Sequence, residues 1–336
     1  MTGVLYAESV PRKSPLVIGH RGAPGYRPEH SRSSYELAFA MGVDAVEPDV
    51  VATKDGVLVI RHENEISGTT DVARHPQFAD RRTTKTIDGL PLTGWFTEDF
   101  TWDELATLRT CERLPKIRTS SASFDGTQPI LRLIDLLDMV RAASVEHGRE
   151  IGMVLEIKHA THFASIGLDL VPLIERDLRA GGWADGELPL VIEAFESTVL
   201  AQLRETGIAA SFVYLIEANG KPFDLVSTLG RAAPDYSSTV TPAGLDRLRG
   251  EVDGISVNKR MLLQPGSTIV ADAHARGLKV FTWTCRPENV YLSAPFRASG
   301  GKAAFGDYEA EWQVIADTGV DGVFVDHPDL GVAFFG

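Results

Sequence analysis

The chain has 336 residues, of which 43% are hydrophobic and 24% are charged, and this suits one barrel-sized domain better than two small ones. Its 46 acidic and 33 basic residues give a formal net charge of −13, which opposes any broad attraction to nucleic acid or to an anionic membrane surface. Binding of a single small phosphodiester remains compatible with that charge.

Short β-branched runs alternate with helical patterns along the chain, which is typical of parallel βαβ units. The predicted strands are Leu16–His20, Ala45–Val50, Met153–Lys158, Leu190–Phe195, Ser211–Ile216, Gly254–Asn258, Lys279–Thr284 and Gly322–Asp326. The helices predicted between them include Ser33–Met41, Leu131–Ala143, Ile166–Ala180, Ser197–Thr206, Ser267–Arg276 and Tyr308–Thr318. Eight such strands close a barrel, so the predicted fold is an α/β (β/α)8 TIM barrel.

A further strand-like run, Val57–His62, follows the second strand too closely for a parallel crossover, which needs about ten or more residues. It therefore has to return as an antiparallel hairpin. The dipeptide Asp55-Gly56 suits the positive φ angles of a two-residue type I′ turn. That turn would pair Asp49 with His62 and would place the imidazole beside the carboxylate at the barrel rim.

The strand pattern is interrupted between residues 63 and 150, a gap far longer than one βα connection needs. Much of this stretch is polar and rich in Thr, Asp and Arg, which is typical of a loop-rich subdomain over one face of a barrel. We therefore predict a single barrel domain over residues 1–336, with an insertion at approximately 65–125.

Polar side chains gather where the predicted strands end, and active sites of TIM barrels lie at this C-terminal rim. His20 ends the first strand, and Glu47 and Asp49 stand two residues apart on the second strand, so their side chains share one face. Glu156 and Lys158 repeat that spacing. Three clustered carboxylates suit a hard cation such as Mg²⁺ or Ca²⁺, whereas without a cation they would repel phosphate.

Each of these residues also has a purely structural interpretation. A histidine at a strand end is usually a surface or capping residue. Glu47 and Asp49 could be inward barrel residues whose ion-pair partner is Lys158. The joint arrangement favours function, because the same strands are apolar in their lower halves and polar at one rim.

The chain resembles the glycerophosphodiester phosphodiesterases of the phospholipase-C-like barrel superfamily over nearly its whole length. The motifs that carry the resemblance are His20-Arg21-Gly22-Ala23, Pro28-Glu29, Glu47-x-Asp49, Thr53-Lys54-Asp55-Gly56, His62-Glu63, Glu156-Ile157-Lys158, Trp283-Thr284 and Asp326-His327-Pro328. The long insertion and the segments Thr69–Val72 and Phe78–Arg81 resemble the long bacterial periplasmic-type subgroup.

The resemblance implies a metal-dependent enzyme that binds one divalent cation, Ca²⁺ or Mg²⁺. Its ligands would be Glu47, Asp49 and Glu156, and the cation in turn would bind phosphate oxygens. Arg21 and Lys158 would complete the phosphate clamp.

His20 and His62 would form the catalytic acid and base pair, in an order that the sequence does not reveal. A glycerol hydroxyl next to the phosphate would be the nucleophile, giving a cyclic phosphate that water then opens. Glu29 would contact the glycerol hydroxyls. Phe195 is a possible pocket wall, since the segment around it departs from the family pattern, and Trp283 could pack on the glycerol or alcohol moiety.

Two further departures from the family pattern have structural consequences. Pro48 lies between two of the expected metal ligands and lacks an N–H, so one sheet hydrogen bond is lost there and a bulge could redirect a carboxylate. His30-Ser31 replaces the commoner Asn-Thr, but Ser31 can still cap the helix that follows.

Three functions follow as hypotheses. The favoured one is hydrolysis of small glycerophosphodiesters, such as glycerophosphocholine or glycerophosphoethanolamine, to glycerol 3-phosphate and an alcohol. The second is the same chemistry on glycerol-phosphate polymers or lysophospholipids. The third is a non-catalytic barrel that binds phosphorylated ligands, although no expected site residue is missing.

No targeting or membrane signal is evident. Residues 1–14 lack the apolar run of a signal peptide, and no stretch reaches the roughly 18 apolar residues of a membrane span. Cys111 and Cys285 have no metal-ligand spacing and are expected to be packing residues. We therefore expect a cytoplasmic protein, or a secreted or periplasmic one whose signal peptide was removed, with a small-molecule partner and no nucleic acid. The oligomeric state stays open.

Overall fold

The structure, a computed structural model, describes residues 14–336 and contains a closed barrel of parallel strands. In chain order the strands are β1 (Leu16–His20), β2 (Ala45–Glu47), β3 (Asp49–Ala52), β4 (Leu58–Ile60), β5 (Thr83–Ile87), β6 (Leu90–Gly94), β7 (Gly152–Ile157), β8 (Leu190–Ala194), β9 (Ser211–Ile216), β10 (Gly254–Asn258), β11 (Lys279–Cys285) and β12 (Gly322–Val325). All eight predicted barrel strands are present, and the second is divided into β2 and β3.

The barrel closes because the neighbouring strands pair in sequence around a ring. The pairing order is β2, β1, β12, β11, β10, β9, β8, β7 and β3, and a further pairing of β2 with β7 completes the circle. The barrel interior is filled by apolar side chains from most of its strands, namely Ile18, Ala45, Val154, Val191, Val213, Phe281 and Phe324. This apolar filling confines the polar residues to the strand ends.

The break in the second barrel strand falls at Pro48. Val46 pairs with Met153 on one side of it and Asp49 pairs with Glu156 on the other, so the register does not change across the proline. The Pro48 carbonyl still accepts a hydrogen bond from the Glu156 N–H, at 2.9 Å. The bulge that could have redirected a carboxylate is therefore absent at this point.

The predicted hairpin after β3 is present, but its predicted turn and register are wrong by one residue. Ala52 faces Leu58, and the turn contains three residues, the last of which is Gly56 with φ +73°. The Thr53 hydroxyl accepts the Val57 N–H at 2.9 Å and so starts the turn one residue earlier than expected. As a result the backbone partner of Asp49 is Arg61 and not His62.

Helices connect the strands and cover the outside of the barrel. The α-helices are Arg32–Ala40, Trp102–Leu105, Thr119–Ala122, Leu133–Glu146, Ala160–Ser165, Leu170–Ala180, Ser197–Glu205, Phe223–Leu229, Tyr236–Thr239, Pro242–Leu248, Lys259–Leu262, Ile269–His274, Tyr308–Ala316 and Pro328–Phe335. Ser31 caps the first of them, as predicted, by accepting the Ser34 N–H at 3.2 Å. The predicted helix Ile166–Ala180 begins only at Leu170, where Asp169 is the N-cap and accepts the Val171 N–H.

The long segment between β4 and β7 carries little regular structure apart from the β5–β6 hairpin and short helices. Many of its apolar side chains nevertheless belong to the same hydrophobic core as the outer face of the barrel strands, among them Trp95, Phe100, Leu105 and Leu108. This shared core fixes the segment against the barrel, so its polar residues have defined positions near the rim.

Within residues 14–336, no helix combines the length and the apolar character needed to cross a membrane. The expectation about a signal peptide concerns residues 1–14, nearly all of which lie outside the described residues.

The hairpin turn can be tested through Gly56. Replacement by Ala places a Cβ at ordinary contact distance, 3.5 Å from Leu173. The expected loss of stability therefore comes from the left-handed backbone conformation at this position. We expect Gly56→Ala to lower the free energy of unfolding by about 1 kcal/mol, measured by urea denaturation. Gly68→Ala is the matched control, because Gly68 lies outside the left-handed region and in open space. Equal effects in the two variants would contradict the turn geometry.

Candidate active site

Three carboxylates converge at the C-terminal rim of the barrel. Glu47 ends β2, Asp49 begins β3, and Glu156 lies beside Asp49 on β7, with one oxygen of each within 4.8 Å of the others. All three side chains are buried. The predicted metal-ligand set is therefore brought together in space.

The environments of these carboxylates differ. Burial, together with the neighbouring Asp49, raises the pKa of Glu47 well above its ordinary value. Burial and Asp49 likewise raise the pKa of Glu156 to about 8, although Lys158 opposes the rise. Glu47 accepts the Arg21 backbone N–H at 2.8 Å and has no ion-pair partner among residues 14–336. A buried carboxylate without a counter-ion, beside two others, is a donor set that fits a hard divalent cation.

Asp49 is the member of the trio that stays ionised. Burial raises its pKa, but Lys158 and other cationic groups outweigh burial and hold the pKa of Asp49 well below its usual range. The Lys158 ammonium lies 2.9 Å from one Asp49 oxygen and also contacts Glu156. His30 lies 2.8 Å from the other Asp49 oxygen and is itself held by the Tyr35 hydroxyl at 2.8 Å. The role of His30 in fixing Asp49 was not predicted.

The two predicted catalytic histidines both line one cleft. In each, Nδ1 contacts a carboxylate: His20 faces Asp326 at 2.6 Å and His62 faces Glu63 at 2.7 Å. Donation by Nδ1–H to the carboxylate leaves Nε2 as the ring atom that can exchange a proton with a reactant.

Both imidazoles are neutral in the ligand-free protein at pH 7. Burial, reinforced by Arg21, lowers the pKa of His20 to about 4. Burial, with Arg21 and Lys158, lowers the pKa of His62 to about 3. An anionic ligand between these groups would offset the arginine and lysine charges and favour a protonated imidazole.

The carboxylates behind the histidines are held by arginines from the insertion. Arg113 donates to both oxygens of Glu63, each at 2.7 Å. Arg118 lies 2.5 Å from Asp326. Sequence reasoning missed both arginines, because nothing in their local pattern signals a contact with residues so distant in the chain.

Glu29, which was predicted to contact the glycerol hydroxyls, is bound by two arginines. Its carboxylate accepts hydrogen bonds from Arg113 at 2.6 and 2.7 Å and from Arg21 at 3.0 Å, and it does not line the cleft. These contacts occupy both of its oxygens. Contact of Glu29 with glycerol therefore stays a prediction, while the structure shows it fixing the Arg21 guanidinium.

The cleft itself has a volume of about 540 Å³. Arg21, Lys158, Phe195 and Trp283 line it, all of them predicted to bind substrate. The Phe195 and Trp283 rings meet edge to face, with their centroids 5.6 Å apart. Together they form an apolar part of the cleft wall.

Glu193 is a further acidic residue of the cleft that sequence reasoning missed. It pairs with Glu156 in the sheet register, it is 1% exposed, and its Oε2 has no hydrogen-bond partner. Burial and Glu156 raise its pKa well above the ordinary value. The alternation along β8, in which Glu193 and Phe195 share a face, could have revealed it.

A second cavity of about 330 Å³ adjoins the cleft. The two cavities share His62, Glu156, Lys158, Phe195 and Glu217. Its remaining lining is partly apolar and includes Ile157, Phe223, Val226 and Tyr236. A ligand bound at the histidines can therefore extend in this direction.

Comparison with known proteins agrees with this geometry. The model of the Glycerophosphoryl diester phosphodiesterase family matches residues 20–330. The chain is 29% identical over 332 residues to the Glycerophosphodiester phosphodiesterase GDPD6 of Arabidopsis thaliana, covering 93% of this chain and 83% of that protein. It is 24% identical over 339 residues to the Glycerophosphodiester phosphodiesterase of Haemophilus influenzae, covering 95% and 89%.

Among solved structures, the Oleispira antarctica phosphodiesterase in complex with the product sn-glycerol-3-phosphate has the same fold, with a TM-score of 0.62. The two chains are 20% identical, and the match covers 95% of this chain and 96% of that one. The barrel, its rim and a family match over almost the whole length lead to one conclusion. The chain is a hydrolase that belongs to the glycerophosphoryl diester phosphodiesterase family.

Proposed function

We propose that this hydrolase cleaves small glycerophosphodiesters to glycerol 3-phosphate and an alcohol, with His20 and His62 as the acid and base pair. The observation that carries this proposal is the pair of imidazoles, each with Nδ1 against a carboxylate, lining the same cleft as Arg21 and Lys158. The cleft combines proton-transfer groups with cations that suit a phosphate.

Glu47, Asp49 and Glu156 would hold one divalent cation, Ca²⁺ or Mg²⁺. When bound, the cation supplies Lewis-acid polarisation of the phosphate oxygens and offsets the carboxylate charges. The Arg21 guanidinium would bind and orient the phosphate from the side of His20. Lys158 would do so from β7.

One histidine Nε2 would accept the proton of a glycerol hydroxyl as its oxygen attacks phosphorus. The bond from phosphorus to the alcohol oxygen then breaks, and the other histidine gives its proton to that oxygen. The cyclic glycerol phosphate formed in this way is opened by water, with the two histidines exchanging roles. Each proton transfer typically contributes about 10²- to 10⁴-fold to the rate.

The adjoining cavity suggests that the alcohol is small and cationic, as choline and ethanolamine are. Glu217 lines both cavities, accepts the Asn258 amide at 3.3 Å, and has no ion-pair partner among residues 14–336. The Lys158 ammonium lies 5.7 Å from the centre of the Phe195 ring, so this ring already has a cation near its face. An aromatic face with a nearby carboxylate is suited to an alkylammonium group.

The histidine roles are tested by His20→Asn and His62→Asn. Each variant is expected to lose at least about 10²-fold in kcat for glycerophosphocholine, because no group replaces the lost proton transfer. Glycerol 3-phosphate and choline are measured separately, and ³¹P NMR reports any cyclic phosphate. His147→Asn, an exposed histidine at the end of a helix, is the control that should retain activity. Full activity in either site variant would refute the acid and base assignment.

The cation site is tested by chelation. Metal-stripped protein should lose turnover and regain it with Ca²⁺ or Mg²⁺. Independently of activity, the cation at a hundredfold excess over its Kd should stabilise the fold by about 2.7 kcal/mol, seen as a rise in Tm. Glu47→Gln should abolish that rise, whereas the exposed control Glu205→Gln should keep it. A rise of equal size in both variants would exclude this site.

The alcohol preference is tested by Glu217→Gln. We expect kcat/KM for glycerophosphocholine to fall about fivefold, which corresponds to a loss of roughly 1 kcal/mol of cation binding. Hydrolysis of the diester of two glycerols, which has no cationic alcohol, should change less than twofold. An equal change for the two substrates would contradict a cationic alcohol subsite and would direct attention to glycerol-phosphate polymers or lysophospholipids.

A further inference from the structure

We propose that residues 111–118 of the insertion form a clamp that positions both histidines of the site at once. Arg113 and Arg118, five residues apart, each hold the carboxylate that orients one imidazole. This inference rests on the proposed function, since it assigns supporting groups to His20 and His62.

The first arm of the clamp leads from Arg113 to His62. The Arg113 guanidinium donates to both Glu63 oxygens at 2.7 Å, and Glu63 in turn lies 2.7 Å from His62 Nδ1. The remaining donors of Arg113 bind Glu29, which fixes Arg21. The Arg113 guanidinium therefore bridges two carboxylates, one of which supports His62 and the other Arg21.

The second arm leads from Arg118 to His20. Only 4% of the Arg118 side chain is exposed, and it donates to Glu288 at 2.8 Å and to Asp326 at 2.5 Å. Asp326 lies 2.6 Å from His20 Nδ1 and is also held by Arg286 at 2.5 Å. Because two guanidinium groups contact Asp326 Oδ2 while His20 contacts Oδ1, the carboxylate stays ionised and in place.

The segment that joins the two arms is itself rigid. Glu112, 5% exposed, accepts the Leu114 N–H at 2.7 Å and the Ser121 hydroxyl at 2.5 Å. Its own N–H donates to Asp125 at 2.6 Å, and Cys111 N–H donates to the Thr69 carbonyl at 2.9 Å. These contacts fix the turn from which the two arginines point in different directions.

Arginine suits this task better than lysine. Its planar guanidinium keeps its charge and can bind two carboxylates in fixed geometry, whereas an ammonium is a single point of charge. A carboxylate held in this way fixes the tautomer and the ring orientation of its histidine, so Nε2 of each imidazole faces the cleft. The geometry thus makes the insertion part of the catalytic support and not only a cover over the barrel.

The test compares Arg113→Lys and Arg118→Lys with the control Lys116→Gln, an exposed cation between them. Activity is measured on glycerophosphocholine and on the p-nitrophenyl diester of glycerol phosphate, whose leaving group needs no acid. On glycerophosphocholine each arginine variant should lose about 10²-fold in kcat, because a small displacement of a catalytic group has this effect. The control should keep the wild-type rate.

The second substrate separates positioning from a general loss of structure. One of the two arginine variants displaces the histidine that acts as the acid. With p-nitrophenol as the leaving group, the kcat of that variant should recover at least tenfold. The kcat of the other arginine variant should not recover. If the Tm of an arginine variant shows that it does not fold, the partner carboxylate is changed instead. Glu63→Gln then replaces the Arg113 variant and Asp326→Asn the Arg118 variant, and both keep the side-chain shape.

Wild-type kcat in both arginine variants would overturn the clamp, as would losses that are equal on the two substrates in both variants. An inactive wild-type protein would instead overturn the proposed function, and the clamp with it.

Discussion

The concentration of carboxylates at one rim of the barrel is the constraint on which the rest of the site depends. Glu47, Asp49, Glu156 and Glu193 all face the same end of neighbouring strands, and each is nearly inaccessible to water. Like charges at this separation cannot all be ionised unless cations lie between or around them. Lys158 supplies one such cation directly after β7, and its ammonium contacts Asp49 and Glu156. Glu47 has no ion-pair partner among residues 14–336, which supports the proposal that a metal ion binds beside it.

The same electrostatic demand explains why the insertion is needed. Barrel strands are parallel and their side chains alternate between the two faces of the sheet, so strand residues alone cannot surround every carboxylate with cations. Arg113 and Arg118 come from the long segment between β4 and β7 and contact Glu63 and Asp326. Since their partners contact His62 and His20, charge compensation and histidine orientation are achieved by the same contacts. Removal of either arginine would leave its carboxylate with fewer cationic partners, and the imidazole beside that carboxylate would be less firmly held.

The sequence predicted the elements whose causes are local. The eight strands and the cap at Ser31 follow from residue periodicity and side-chain hydrogen bonding within a few residues. The hairpin register was wrong because the Thr53 hydroxyl, and not the Asp55-Gly56 dipeptide alone, sets where the turn begins. The convergence of the three carboxylates could be predicted because strand alternation places Glu47 and Asp49 on one face, at the rim where Glu156 also lies. The supporting cations could not, because Arg113 and Arg118 reach residues 50 and 208 positions away in the chain.

The distribution of charge also reconciles an acidic protein with an anionic substrate. The net charge of −13 disfavours long polyanions, which would contact much of the surface. The cleft, however, is lined by five cations that come from four strand ends: Arg21, Lys158, Lys259, Arg260 and Arg286. Their field acts over a short distance, because it is offset by the carboxylates beside them and screened beyond about 8 Å at physiological ionic strength. A single phosphodiester that enters the cleft meets these cations at close range, whereas a polymer would meet the acidic surface first. The charge pattern therefore supports the proposal that the substrate is a small diester.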